Sequence, residues 1–151
     1  MAELKERLRA DLNAAMRARD QVRMRTLRLA LTSITNEEVA GTSARDLTDD
    51  EVVRVLTREA RKRREAAEAF GAAGRSEQAA AERAEGEVLA GYLPAQLSDD
   101  ELAALVDAAI AETGASGLSG LGQVMKTVTP RIAGRADGAR VAAEVRRRLS
   151  S

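Results

Sequence analysis

Lys126, Arg131, Arg135 and Arg140 flank the glycines Gly134 and Gly138, and few acids lie nearby in sequence. Ammonium and guanidinium groups donate charge-assisted hydrogen bonds to phosphate or carboxylate, and glycine leaves backbone amides open to close approach by an anion. The six residues therefore read as a candidate anion-binding segment. Arg146, Arg147 and Arg148 follow, but cations at the C-terminal end of a helix are also accounted for by the helix dipole. A second basic cluster, Arg58, Arg61, Lys62, Arg63 and Arg64, is denser. Consecutive helical residues point around most of the circumference and cannot all reach one partner. With Glu59, Glu65 and Glu68 at helical spacing from it, this cluster reads first as a solvated, self-paired face and second as a phosphate contact.

Other chemistries are narrowed by what the chain lacks. There is no Cys and no His, which removes disulfides, thiolate nucleophiles, zinc–sulfur sites, and the commonest general base and metal ligand. A Ser–His–Asp relay is impossible, and no Ser–Lys arrangement stands out. Asp49-Asp50-Glu51 follows Thr48, and Asp99-Asp100-Glu101 follows Ser98. Acids in a first turn behind a hydroxyl cap stabilise a helix start, so neither cluster needs a metal or an acid–base role. Gly71-Ala72-Ala73-Gly74-Arg75-Ser76 has neither the spacing, the Lys nor the preceding strand of a phosphate loop and reads as a break between helices. Phe70 and Tyr92 are the only aromatics, too few for a base-stacking platform, so any RNA contact would be with backbone and shape. No catalytic residue, metal site or cofactor is implied.

Helices must position these residues. Leu4, Leu8, Leu12 and Met16 repeat every four positions, and Met24, Leu27, Leu31 and Ile34 form a second stripe after a break at Asp20. Thr48 opens a long helix through Val52, Val55 and Leu56 toward Phe70. A fourth helix, from about Ser76 to Gly91, has little besides Ala, Val88 and Leu89 to bury and should be thin and partly exposed. Pro94 disfavours helix at Leu93 and marks a boundary. Beyond it, Ser98 caps a helix bearing Leu102, Leu105, Val106, Ala109 and Ile110, which Gly114 ends. A helix over Ser119 to Thr129 follows, with Pro130 either closing it or starting a fresh turn. After a tight loop from Gly134 to Gly138, Asp137 can cap a last helix bearing Val141, Val145 and Leu149. The prediction is an all-α protein, with an N-terminal region of about four helices over residues 1–91 and a small three-helix domain over 92–151.

Composition agrees with helix packing. Apolar residues make up 44% of the chain and aromatics 1%, so the core must be Ala, Leu, Val and Ile rather than the β-branched and aromatic mixture favoured by sheets. Net charge is zero, but unevenly spread. Residues 1–36 hold eight basic and four acidic side chains, 37–115 nine and eighteen, and 116–151 seven and two. A polyanion would be met by the ends. No stretch approaches the roughly 18 apolar residues of a membrane span, and Glu3 and Glu6 stand where a signal peptide needs an apolar run, so a cytoplasmic location is expected.

Tyr92-Leu93-Pro94-Ala95-Gln96-Leu97, Glu112-Thr113-Gly114-Ala115, Gly122-Gln123-Val124-Met125-Lys126 and Gly134-Arg135-Ala136-Asp137-Gly138 follow one another along the second half of the chain. In order and spacing they resemble the GatB/YqeY family. Upstream, Ala15-Met16-Arg17-Ala18-Arg19-Asp20, Leu27-Arg28, Lys62-Arg63-Arg64-Glu65 and Ala73-Gly74-Arg75 look like the YqeY-type head. The resemblance covers essentially the whole chain. It implies an all-helical protein whose C-terminal domain is similar to the tail of GatB, the subunit of the tRNA-dependent amidotransferase whose tail is understood to contact tRNA. The kinase-like cradle and the amidase subunit, which perform that chemistry, have no counterpart here. A family-level label of carbon–nitrogen ligase with glutamine as amide donor would thus be inherited from GatB. One departure is Gly120-Leu121, where relatives often carry an acid, so the helix start there should be less well capped. The resemblance implies a tRNA-associated, non-catalytic module; the alternative is an adaptor for a protein partner.

Overall fold

The computed structural model describes residues 2–150 and is all-helical, with seven α-helices and no strand among them. The chain divides into two compact units, 1–93 and 94–151.

Within the first unit lie α1 (Glu3–Ala18), α2 (Gln21–Glu38), α3 (Asp49–Ala72) and α4 (Ser76–Ala90). The α1–α2 hairpin turns at Arg19, which adopts a left-handed conformation at φ 56°, and Asp20 then accepts from the Arg23 amide to cap α2. Leu8, Leu27, Ile34, Val52 and Leu56 are sealed in the core, joined by Leu89 of α4 and by Tyr92. The every-fourth-residue stripe on α1 does not hold. Twelve residues at about 100° each leave Met16 about 120° around the helix from Leu4, and Met16 is exposed while Ala15 is buried. Thr48 and Glu51 complete a capping box as the sequence suggests, but α3 runs through Gly71 to Ala72 rather than breaking there, and Gly74 turns the chain at φ +76°. Most of α4 is surface, and its contribution to the interior is Ala79, Glu85 and Leu89.

The second unit contains α5 (Asp99–Thr113), a 3₁₀ turn at Leu118–Gly120, α6 (Leu121–Ile132) and α7 (Gly138–Leu149). Its core is aliphatic, with Leu102 and Val106 from α5, Val124 and Val128 from α6, and Val141 and Val145 from α7. Ser98 and Glu101 form the second capping box, and Gly114 ends α5 in the left-handed region at φ 65°. Helix α6 begins at 121 rather than 119 and continues through Pro130 to Ile132. Proline in a last turn forfeits one backbone hydrogen bond, and burial of Ile132 in the core holds that turn in place. The start of α6 has no side-chain cap. A Cβ at Gly120 would lie 2.6 Å from that of Ala115, so an acidic side chain cannot occupy this position without moving the 115–120 segment.

Candidate nucleic-acid interface

The segment singled out from sequence is the end of α6, its loop and the start of α7. Four cations sit there, each in different circumstances. Lys126 is exposed on α6 and makes no ion pair among the described residues. Arg131, in the last turn of α6, makes two hydrogen bonds to the Glu112 carboxylate, one of them at 2.9 Å. That bond holds Glu112 below the usual carboxylate range and raises the Arg131 guanidinium. Arg135 turns back on its own helix, donating to the carbonyls of Ile132 at 3.2 Å and Arg131 at 3.0 Å; it satisfies the free carbonyls of the α6 C-terminus. Arg140 donates to Asp99 at 2.9 Å.

The glycines differ as well. Gly134 has φ +79°, a conformation that costs glycine nothing and other residues about 1–2 kcal/mol. Its companion Ala133 is also left-handed, at φ 51°, so the chain reverses over two consecutive residues. The reversal brings the Arg135 carbonyl to the Leu97 amide at 2.8 Å, tying the loop to the segment before α5. Gly138 is the first residue of α7 and a Cβ there would meet open space, so no contact within the protein demands glycine. The Asp137 carboxylate already caps α7, accepting from the Arg140 amide at 2.9 Å.

The carboxylates that meet these arginines are the part sequence reasoning missed. Glu112 lies 19 residues from Arg131 and Asp99 lies 41 from Arg140, too far for a charge count along the chain to join them. Arg148 likewise reaches Asp107 at 3.2 Å and Glu144 at 3.0 Å. Folding lays the basic C-terminal stretch against the acidic face of α5. Residues 94–151 carry seven basic and seven acidic side chains, so this unit is neutral although its last third is strongly basic.

The cluster on α3 resolves in the same direction. Arg58 pairs with Glu37, Arg61 with Glu65 and Lys62 with Glu59. Arg63, half buried, reaches Glu82 at 3.2 Å and Glu85 at 3.4 Å and so joins α3 to α4. Arg64 is also engaged. Tyr92, 7% exposed, is held in the first unit with its hydroxyl donating to Asp11 at 2.5 Å, and its ring is closed to a stacking base. Among the described residues no group of acidic side chains is placed to hold a metal ion, and no helix is long and apolar enough to cross a membrane.

An all-helical chain in two units, each with as many acidic as basic side chains, is the class of protein these observations define. Residues 5–149 match the family described as Yqey-like protein, and the chain belongs to that family. No curated protein matches it.

Proposed function

We propose that the protein is a non-catalytic, cytoplasmic module that associates with tRNA through phosphate backbone and shape, with residues 94–151 the counterpart of the GatB tail. The observation that carries this reading is the placement of Arg131 and Arg140. Their exposed ion pairs fall in the last and first turns of α5, carboxylates about 20 Å apart along the axis at 1.5 Å per residue. Such a span suits phosphates several nucleotides apart on one strand better than one small anion. Exposed ion pairs contribute only about 0–1 kcal/mol each, so both guanidiniums can exchange carboxylate for phosphate at little cost. Lys126, five residues before Arg131 on α6, is unpaired among the described residues, while the Arg135 guanidinium is bound to the Ile132 and Arg131 carbonyls.

The test is titration of the protein against bulk tRNA and against duplex DNA of equal charge, at several salt concentrations. A quadruple substitution of Lys126, Arg131, Arg135 and Arg140 to Gln serves as the control. Each phosphate contact contributes about 0.7–0.9 to the slope of log affinity against log salt, and the quadruple variant should lose up to about 3 of that slope. Preference for tRNA, lost in the folded variant, supports the reading. No binding at low salt overturns it.

A further inference from the structure

Unlike Arg58, Arg61 and Lys62 of α3, several arginines around the α1–α2 turn have no carboxylate partner among the described residues. Between residues 12 and 36 stand Arg17, Arg19, Arg23, Arg25 and Arg28 against one acid, Asp20, and that carboxylate is occupied in capping α2. Arg17, Arg19 and Arg28 are exposed and make no ion pair among the described residues. Arg25 meets Glu85 at 2.6 Å, yet 55% of its side chain faces solvent.

The same surface is also apolar. Gln21, Met24, Arg25, Arg28 and Leu29 line a shallow concavity of about 370 Å³, and they recur at the three- and four-residue spacing of one helix face. Leu29 is 48% exposed, beside Arg25 and Arg28 on the helix. The carboxylates nearest this face from other helices are Glu59 and Glu85, and both are taken. Glu59 accepts from Ser33 and Lys62, and Glu85 from Arg25 and Arg63. A positive face edged on either side by an apolar side chain, Met24 and Leu29, is therefore left unanswered within the protein.

We propose that this face of α2 is a docking site for an acidic, amphipathic helical segment of another protein. Its apolar residues would lie on Met24 and Leu29, and its carboxylates would reach Arg25 and Arg28. Charge selects the sign of the partner, and the apolar side chains at the two edges select its class. A phosphodiester backbone has nothing to set against Leu29 and Met24, and the face has no aromatic ring on which a base could stack. An amphipathic helix satisfies both features, with leucine or methionine anchors at helical spacing and acids beside them. Methionine adapts its shape to such anchors with little strain. Every residue of the site is in the first unit, so the proposal stands apart from the tRNA reading.

The test uses the full chain and a designed peptide of about 20 residues, built from Glu, Ala and Leu with Leu on one helical face. A scrambled peptide of the same composition and a poly-uridylate of equal charge accompany it. Binding is measured by calorimetry, and the site by amide shifts along α2. The expected result is that the ordered peptide binds at least tenfold more tightly than the scrambled one. Arg28→Glu should weaken it tenfold or more and Leu29→Ala at least threefold, while the quadruple variant of the second unit leaves it unchanged. Gln21→Glu, at an exposed position, gives an independent repulsive probe should Leu29→Ala alter the thermal melt. Equal binding of ordered and scrambled peptides, or indifference to all three substitutions, overturns the proposal. So does a preference of this face for poly-uridylate.

Discussion

Tyr92 is the chain's one tyrosine, and there is no tryptophan. Its hydroxyl donates to Asp11, accepts from Arg23 at 3.4 Å, and its ring lies under the Arg7 guanidinium at 4.7 Å. Burial and the Asp11 carboxylate push the phenol up to about 12. An unfolded tyrosine ionises near 10, so the folded state favours the neutral form. This stabilisation is complete below pH 10 and is lost as pH rises toward 12. With a single phenol in the protein, absorbance of the phenolate should titrate with a midpoint about two units above that of the unfolded chain. Tyr92→Phe should abolish the signal and cost about 1 kcal/mol through the lost hydrogen bond. Lys5 and Glu38 form a second buried link, with both carboxylate oxygens 2.8 Å from the ammonium and the residues 4% and 9% exposed. Lys5→Ala would strand the Glu38 carboxylate, and chemical denaturation should show a loss of about 3 kcal/mol.

At the scale of the helix, the cap residues were readable because their chemistry is local. Thr48 and Ser98 each accept from the amide three residues on while a glutamate returns the bond. Thr48→Ala and Ser98→Ala should each lower stability by about 1 kcal/mol, the first in the melting of the first unit and the second in that of the other. What was not readable was capping across distance. Helix α1 has no side-chain cap of its own; Asp49, in the first turn of α3, accepts from the Leu4 amide at 3.1 Å. Asp49 thus serves two helix starts, which no window along the sequence joins. Gly120 is similar: the reason for glycine is Ala115 beneath it, a contact made only once the 3₁₀ turn has formed. Gly120→Ala should cost about 1–3 kcal/mol by overpacking, seen as a lower melting temperature of the second unit.

For the molecule as a whole, the fold class and helix order were legible, since periodicity and caps agree along most of the chain. The site was legible only in its residue types. Arg131 and Arg140 stand out in the sequence as candidates, but their carboxylate partners Glu112 and Asp99, which decide what those arginines do in the free protein, do not. Carboxylates of this kind govern the response to acid. Arg45 with the Thr48 amide holds Glu51 down at about 2, and Glu101, Glu112 and Glu144 are lowered by Ser98, Arg131 and Arg147 in turn. Folded values below the unfolded ones mean stability that is present above about pH 4.5 and lost as pH falls through the folded values. Far-ultraviolet circular dichroism should therefore show unfolding beginning below pH 4.5, with the ellipticity change shifted to higher pH in an Arg45→Gln variant.

Internal neutrality also sets how fast a partner arrives. A unit with seven charges of each sign has no net monopole, so only a faster-decaying local field remains, and salt screens that over roughly 8–10 Å. On the proposed tRNA reading, an RNA approaching residues 94–151 gathers no long-range pull. It must collide by ordinary diffusion and reorient at the surface, at rates of about 10⁵–10⁶ M⁻¹s⁻¹ rather than the 10⁸ or more of strongly steered encounters. Association should then respond weakly to salt, and the salt sensitivity of the complex should reside in how long it lasts.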